Sequence, residues 1–394
     1  MAPTLSVIIP TRERANYLRY AIQTCTANRE ADLEILILDN ASTDNTAETV
    51  SAVTDPRIRY ERSDSRLSMR DNFERGVRLA RGKILCFIGD DDGLMPNAAA
   101  DALTIFSKYN VDAVSAARAH YFWPDLISPR RNTGLLPRGN GISVGNTREA
   151  LKTLLEHCDY YRTPCLYHGF VKKDVVDRIA QRQGRFFLSN QVDMFSAIAL
   201  SAENLRYAYS QSPLIINGGS GRSNGASHFG GGGDQEKKLW MQEDDIGFLP
   251  GFENSITMGA YLLESAIRYT AQSEGTSIMS MFESQTVHRT LAAEARARLA
   301  AGRSADEIDT LFKACDLPPD AGKRRPRVDS PLPSRLRRLL RSYLANLPVN
   351  FESRNVVDVY GASRHFGRMI VDNEVGLLRN TGEQIRTSLR ILRS

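Results

Sequence analysis

The chain has 394 residues, 42% of them hydrophobic and 25% charged, an ordinary globular composition that excludes a fibre, a collagen-like repeat or a wholly disordered protein. At roughly 100–200 residues per domain, the length allows two or three domains. The net charge of +5 is unevenly placed: Lys323–Ser394 holds 15 Lys and Arg against 6 Asp and Glu, a basic tail of +9 behind a body of −4. Cys25, Cys86, Cys158, Cys165 and Cys315 are scattered, odd in number and never paired as C-x-x-C, which argues against a disulfide framework or a zinc ribbon. The N-terminal residues lack the basic and apolar regions of a signal peptide, and no window approaches the ~20 apolar residues of a membrane span. The expectation is a reduced, cytoplasmic protein.

The first hundred residues alternate strand and helix patterns. Leu5 to Ile9 is a short β-branched apolar run closed by Pro10, and Tyr17 to Cys25 has helical spacing. Leu33 to Leu38 is a second apolar strand, followed by turn and cap formers from Asp39 to Asn45 and a helix from Thr46 to Val53. Ile58 to Glu61 reads as a weak strand, Asn72 to Ala80 as a helix closed by Gly82, and Ile84 to Ile88 as a fourth strand running into Gly89-Asp90-Asp91-Asp92-Gly93. Fully apolar strands separated by helices predict an α/β fold, a mostly parallel sheet flanked by helices. Ligands of such sheets sit beyond the carboxyl ends of the strands. The polar clusters at Thr11–Asn16, Asp39–Asn45 and Asp90–Asp92 all fall there.

The next part is less regular. Asp112 to Ala116 is strand-like, Pro124 to Gly145 is rich in Pro, Arg and Gly, and Thr147 to His157 reads as a helix. A Gly/Ser-rich segment over 218–233 cannot pack as a core and is expected to be a mobile loop. The composition divides the chain into 1–250, with halves 1–110 and 111–250, a helical region 251–320, and a basic linker with a helical extension over 321–394. In the last part Leu332, Leu336, Leu339, Leu340, Tyr343, Leu344 and Leu347 form an apolar stripe flanked by Arg335, Arg337, Arg338 and Arg341. Such a helix either lies on an anionic membrane surface, as a peripheral protein of the inner face, or packs on the rest of the chain or in a homodimer. No aromatic interleaving or binding motif accompanies the basic residues, so nucleic acid is not an expected partner.

The sharpest chemical signal is Asp90-Asp91-Asp92. Carboxylates this close repel unless a cation or hydrogen bonds neutralise them. Hard oxygen ligands beside an open loop suit Mg²⁺ or Mn²⁺, which also hold substrate phosphates; the alternative is a solvated acidic turn.

Three stretches together, Ser6 to Arg14, Leu38 to Thr46 and Leu79 to Asp92, resemble the signature blocks of family 2 glycosyltransferases with the GT-A fold, a Rossmann-like sheet. The likeness is close over about the first 100 residues and fades towards 250. It implies an inverting transfer of a sugar from a UDP- or GDP-sugar to a hydroxyl-bearing glycan or lipid-linked acceptor, in polysaccharide or glycoconjugate synthesis, with Mn²⁺ or Mg²⁺ on the diphosphate. By the resemblance, Pro10, Thr11 and Glu13 line the nucleotide pocket and Asp39 holds the base. Asp90 and Asp91 face the ribose and sugar, while Asp92, with Asp90, holds the metal. Relatives carry Ala-Arg-Asn-x-Gly where this chain has Met69-Arg70-Asp71-Asn72-Phe73-Glu74-Arg75-Gly76, so Arg70 either reaches the phosphates or forms a salt bridge at a helix start. An inverting transfer needs a general base. Asp193, before an apolar helix, is the preferred candidate and Asp244 in Glu243-Asp244-Asp245 the alternative; for Asp193 a plain helix cap is the competing role. His228 is either a further metal ligand or a solvated loop histidine. Ser220, Arg222, Ser223 and Asn224 either bind the diphosphate or form a flexible connection. His168 faces the acceptor or belongs to the core. Two other classes remain open: a nucleotidyltransferase, which would be expected to carry a glycine-rich phosphate loop that Pro10-Thr11-Arg12-Glu13 lacks, and a non-catalytic scaffold binding sugar nucleotides.

Overall fold

Alternate residues of the first strands go to opposite faces of one sheet. Ile8, Leu36, Leu38, Leu85 and Phe87 enter one apolar cluster, while Val7, Ile9, Ile35, Ile37, Cys86 and Ile88 enter another. With both faces apolar, the sheet must be covered twice. The computed structural model describes residues 3–29, 31–158, 160–223, 243–253, 255–272, 279, 282, 284–315, 345–372 and 386–387.

The chain runs β1 (Leu5–Thr11), α1 (Ala15–Thr26), β2 (Leu33–Asp39), α2 (Thr46–Ser51), β3 (Ile58–Arg62), α3 (Met69–Leu79), β4 (Ile84–Phe87), β5 (Gly93–Leu94) and α4 (Ala98–Tyr109). It continues through β6 (Ala113–Phe122), β7 (Thr133–Pro137), β8 (Ile142–Asn146), α5 (Thr147–His157), β9 (Phe170–Lys172), α6 (Lys173–Gln183), α7 (Val192–Ala202) and β10 (Arg206–Gly219). Then come α8 (Met258–Gln272), α9 (Ser284–Ala300), α10 (Ala305–Lys313), β11 (Asn346–Asn350) and α11 (Val359–Val371).

The sheet order is β11-β7-β6-β9-β4-β1-β2-β3, with β10 beside β6. β3, β2, β1 and β4 pair in parallel, and so do β6 and β10. The remaining pairs, which involve β5, β7, β8, β9 and β11, are antiparallel. The α/β class therefore holds, while the parallel character is concentrated where apolar strands alternate with helices. Helices α1, α4 and α11 cover one face; α3, α5, α6, α7 and α8 lie on the other. α1 shows how sequence does this: Tyr17, Leu18, Ala21, Ile22 and Cys25 recur at helical spacing, and all are buried. α7 is buried nearly all round, as a helix clasped between the sheet and α8 must be.

Two expectations fail here. Gly218 and Gly219 do not begin a mobile loop but end β10, the longest strand described, against β6. Leu347 does not end a helical stripe but lies fully buried in β11, an edge strand paired with β7. Pro348 is the cause: it disfavours helix at the residue before it and cannot donate to a ladder, so it suits an edge strand. Residues 345–371 are thus part of the main sheet and its helical layer rather than a separate extension. Leu332 to Leu344 lie outside the described residues. No described helix is long and apolar enough to cross a membrane.

Candidate active site

Register builds the site. Parallel pairing sets Pro10 opposite Leu38 and Thr11 opposite Asp39. The Ile88 amide reaches the Ile8 carbonyl at 3.0 Å, which brings the acidic triplet to the same edge. Thr11 then donates to Asp90 Oδ2 at 2.8 Å, and Arg14 Nη1 meets Asp90 Oδ1 at 3.0 Å. Three clusters far apart in sequence share one rim.

Glu13, in the left-handed region at φ 54, turns its carboxylate onto the loop after β2. It accepts from the Thr43 amide at 2.6 Å, the Thr43 hydroxyl at 3.0 Å and the Asp44 amide at 3.1 Å. Asp39 is buried, accepting from the Ser42 amide at 2.9 Å and the Tyr60 hydroxyl at 2.5 Å. Beside them Glu13, Arg14, Asn16, Asp44, Asp125 and Arg222 line a cavity of about 610 Å³. Arg222 closes one side, its Nη1 donating to the Glu13 carbonyl at 2.8 Å.

The three aspartates, all buried, differ in their partners. Asp90 is spent on Thr11 and Arg14; burial raises its pKa, and those two partners oppose the rise. Asp91 Oδ2 accepts from Ser220 at 2.6 Å and Ser223 at 2.5 Å, leaving Oδ1 outside that pair. Burial, with Asp92 and Asp90 alongside and Arg14 opposing, pushes the Asp91 carboxyl up to about 6. Asp92 has both oxygens taken: Oδ1 by the Gly218 amide at 2.7 Å, and Oδ2 by the Gly89 amide at 2.6 Å, Tyr167 at 2.7 Å and His168 Nε2 at 2.5 Å. Burial alone would raise it, but His168 and these donors hold it down at about 2. His168 has φ 68 and is itself pushed below the ordinary imidazole range by burial, with Asp92 pulling the other way. We read the contact as an Nε2–H donated to a carboxylate, with Nδ1 lacking a partner among the described residues. Gly218 is required by this approach, since a Cβ there would stand 1.8 Å from the Asp91 carbonyl oxygen.

A divalent ion was expected on Asp92 and Asp90 with His228. His228 and Asn224 lie outside the described residues, and the oxygens of Asp92 and Asp90 are already committed to protein donors. Among the described residues no group of three or more His, Cys, Asp and Glu is placed to hold a metal. The donor set nevertheless fits Mg²⁺ or Mn²⁺, which often take one or two carboxylates and complete their shell with substrate phosphates and water. Among the described residues, Asp91 is the carboxylate of the triplet with an oxygen, Oδ1, to offer.

Asp193 opens α7, half-buried, with Oδ2 2.5 Å from the Tyr160 hydroxyl and Oδ1 accepting from the Met194 amide at 2.8 Å. Asp244 stands elsewhere, in a buried ion pair with Arg70 Nε at 3.1 Å. Arg70 also binds Asp245, while Arg12 and Arg66 bind Glu243. Arg70 thus has a salt-bridge role, and its charge is matched without a ligand. Sequence reasoning did not find Arg14, Tyr160, Tyr167 or Gly218 as site residues. Tyr167 adjoins the noted His168, and Arg14 lies within the first signature block, so local signals existed for those two.

The α/β sheet gathers a cavity of about 610 Å³ and an acid triplet at its strand ends, the arrangement of a GT-A fold. Residues 6–170 match the sequence family described as Glycosyl transferase family 2. Over 143 residues the chain is 32% identical to the GalNAc(5)-diNAcBac-PP-undecaprenol beta-1,3-glucosyltransferase of Campylobacter jejuni, a match covering 36% of this chain and 44% of the relative. It is 26% identical over 149 residues to the chondroitin synthase of Pasteurella multocida, covering 34% of this chain and 15% of that one. The chain thus spans less than half the length of these curated relatives. The fold is similar to that of S. aureus TarS 1-349 in complex with UDP-GlcNAc, with a TM-score of 0.52 and 12% identity over 94% of this chain and 92% of that one.

Proposed function

We propose that the protein is an inverting glycosyltransferase that moves a sugar from a UDP- or GDP-sugar to a hydroxyl of a glycan or lipid-linked acceptor. The observation that carries this reading is the bridge Cys165–His168. At one end Cys165 Sγ contacts the Asp193 carbonyl at 3.3 Å; at the other, Tyr167 and His168 hold Asp92. Four residues span at most about 11 Å between their end Cα atoms, so a half-buried carboxylate at a helix start lies close to the acid triplet. Two of the similar proteins, a GalNAc(5)-diNAcBac-PP-undecaprenol beta-1,3-glucosyltransferase and a structure in complex with UDP-GlcNAc, support the classes of acceptor and sugar donor.

In this reading the nucleoside occupies the cavity beside Glu13, Arg14 and Arg222, with Asp39 towards its base. Asp91 is the metal carboxylate, and Mn²⁺ or Mg²⁺, when bound, supplies positive charge to the leaving diphosphate. Asp193 takes the proton from the acceptor hydroxyl. An ionised carboxylate offers about four lone-pair positions; Tyr160 and Met194 use two, which orients the group and leaves room for a hydroxyl. Tyr167 and His168 fix Asp92 and so the strand end that carries Asp91.

Incubation with UDP- and GDP-sugars and Mn²⁺ tests this. Slow hydrolysis of one sugar donor is expected. Release of pyrophosphate from a sugar phosphate and a nucleoside triphosphate would instead show a nucleotidyltransferase, and binding without turnover a scaffold.

A further inference from the structure

Three arginines are buried among the described residues: Arg70, Arg118 and Arg298. Two have counter-ions, Arg70 at 3.1 Å from Asp244 and Arg298 at 2.8 Å from Glu294. Arg118, on β6 and only 8% exposed, differs. Its Nη2 donates to the Tyr167 carbonyl at 3.2 Å, and its Nε has no partner among the described residues. Among the described residues no carboxylate pairs with it. Its guanidinium carbon lies 3.4 Å from the centre of the Tyr161 ring, so that ring covers one face of the guanidinium. The cation–π contact offsets part of the desolvation. It does not supply the acceptors that five N–H groups require, and a buried charge without a partner is strongly unfavourable.

Position says what would relieve it. On one side Arg118 holds the carbonyl of Tyr167, whose hydroxyl binds Asp92 at 2.7 Å. On the other it stacks on Tyr161, whose hydroxyl is 2.9 Å from that of Tyr160, the residue bonded to Asp193. Arg118 therefore stands between the acid triplet and the carboxylate read above as the base. The nucleotide cavity has its own cations, Arg14 and Arg222. A molecule held against Asp193 for deprotonation is the acceptor, so the group facing Arg118 belongs to the acceptor.

We propose that Arg118 binds an oxyanion, a phosphate or carboxylate, carried by the acceptor close to the hydroxyl that is glycosylated. The planar guanidinium fork matches such groups in shape as well as charge. This rests on the transferase reading and names its acceptor class: an acidic glycan or a polyol phosphate rather than a neutral sugar.

Calorimetric titration of the full chain, with UDP or GDP present, would compare glycerol 3-phosphate, glycerate and glycerol. The wild type is expected to bind at least one of the two anions tenfold or more tightly than glycerol. Arg118→Gln should lose that preference, Arg118→Lys should keep part of it, and both should bind the nucleotide as the wild type does. Equal binding of the three ligands by the wild type overturns the proposal, as does an anion preference that survives in Arg118→Gln. Loss of nucleotide together with the anion would move Arg118 to the side of the sugar donor and overturn it too. Melting without ligand guards against misfolding: Arg118→Met should melt no lower than the wild type, because it removes an unanswered charge. A large fall would make Arg118 a structural cation and end the proposal. Absence of nucleotide binding in the wild type is read separately, and sinks the transferase reading rather than the anion comparison.

Discussion

The Tyr160 hydroxyl lies 2.5 Å from Oδ2 of Asp193, across 33 residues of chain. Burial and the nearby Asp193 raise the Tyr160 pKa well above its ordinary value, so the phenol stays protonated and donates. The contact orients the carboxylate without consuming it. Asp193→Asn should lower turnover by about 10²–10⁴-fold with nucleotide affinity little changed. Tyr160→Phe should cause a smaller fall, since it loses orientation only. Steady-state kinetics beside nucleotide titration check both; near-normal turnover in Asp193→Asn would put the base elsewhere.

Asp91 and Asp92 should separate into binding and folding. Asp91→Asn is expected to weaken Mn²⁺-dependent binding of UDP or GDP by at least about tenfold, or 1.4 kcal/mol, with little change in melting temperature. Asp92→Asn puts an amide among four donors, and hydrogen bonds to a charged group are worth about 1.5–3 kcal/mol each, so its melting temperature should drop clearly. Should Asp92→Asn melt like the wild type yet lose the Mn²⁺ enhancement that Asp91→Asn keeps, the two roles are reversed.

Arg70 and Asp244 form a buried pair between α3 and the segment after residue 242. Breaking such a pair from one side leaves an uncompensated charge and costs about 3–5 kcal/mol. Arg70→Met should therefore destabilise strongly in urea or heat, whereas Arg70→Met with Asp244→Leu should recover much of the loss. A single mutant as stable as the wild type would mean the pair is not closed in solution.

Truncation after residue 344 should prevent folding. Leu347, Val349, Phe351, Val359, Phe366 and Met369 are all buried, and each large apolar side chain is worth about 1.5–3 kcal/mol when fully buried, against a total stability of about 5–15 kcal/mol. Expression and circular dichroism test this. A soluble truncated chain with the wild-type melting curve would show that β11 and α11 are dispensable.

What the sequence revealed was set by range. β1, β2 and β4 were legible because continuous apolar runs ending in polar clusters carry the strand, its burial and the rim of the sheet at once. Apart from Gly89, the partners of Asp92 were not legible: they are Tyr167, His168 and Gly218, and nothing local to Asp92 announces residues 75 to 126 positions away. Leu347 misled because leucine spacing outweighed the adjacent Pro348. The docking of α11, where Ser363 donates to the Leu94 carbonyl across 269 residues, has no local signature. Nor does β10, whose fourteen residues join β6, β8 and β5 at once.

The central claim is a single displacement with Asp193 as base, and the anomer first released reports it. When a UDP- or GDP-sugar with an α-linkage is hydrolysed slowly by the enzyme, time-resolved proton NMR of the anomeric region should show the β-sugar before mutarotation, and Asp193→Asn should suppress its appearance. The α-sugar appearing first, or an unchanged rate in Asp193→Asn, would contradict the account.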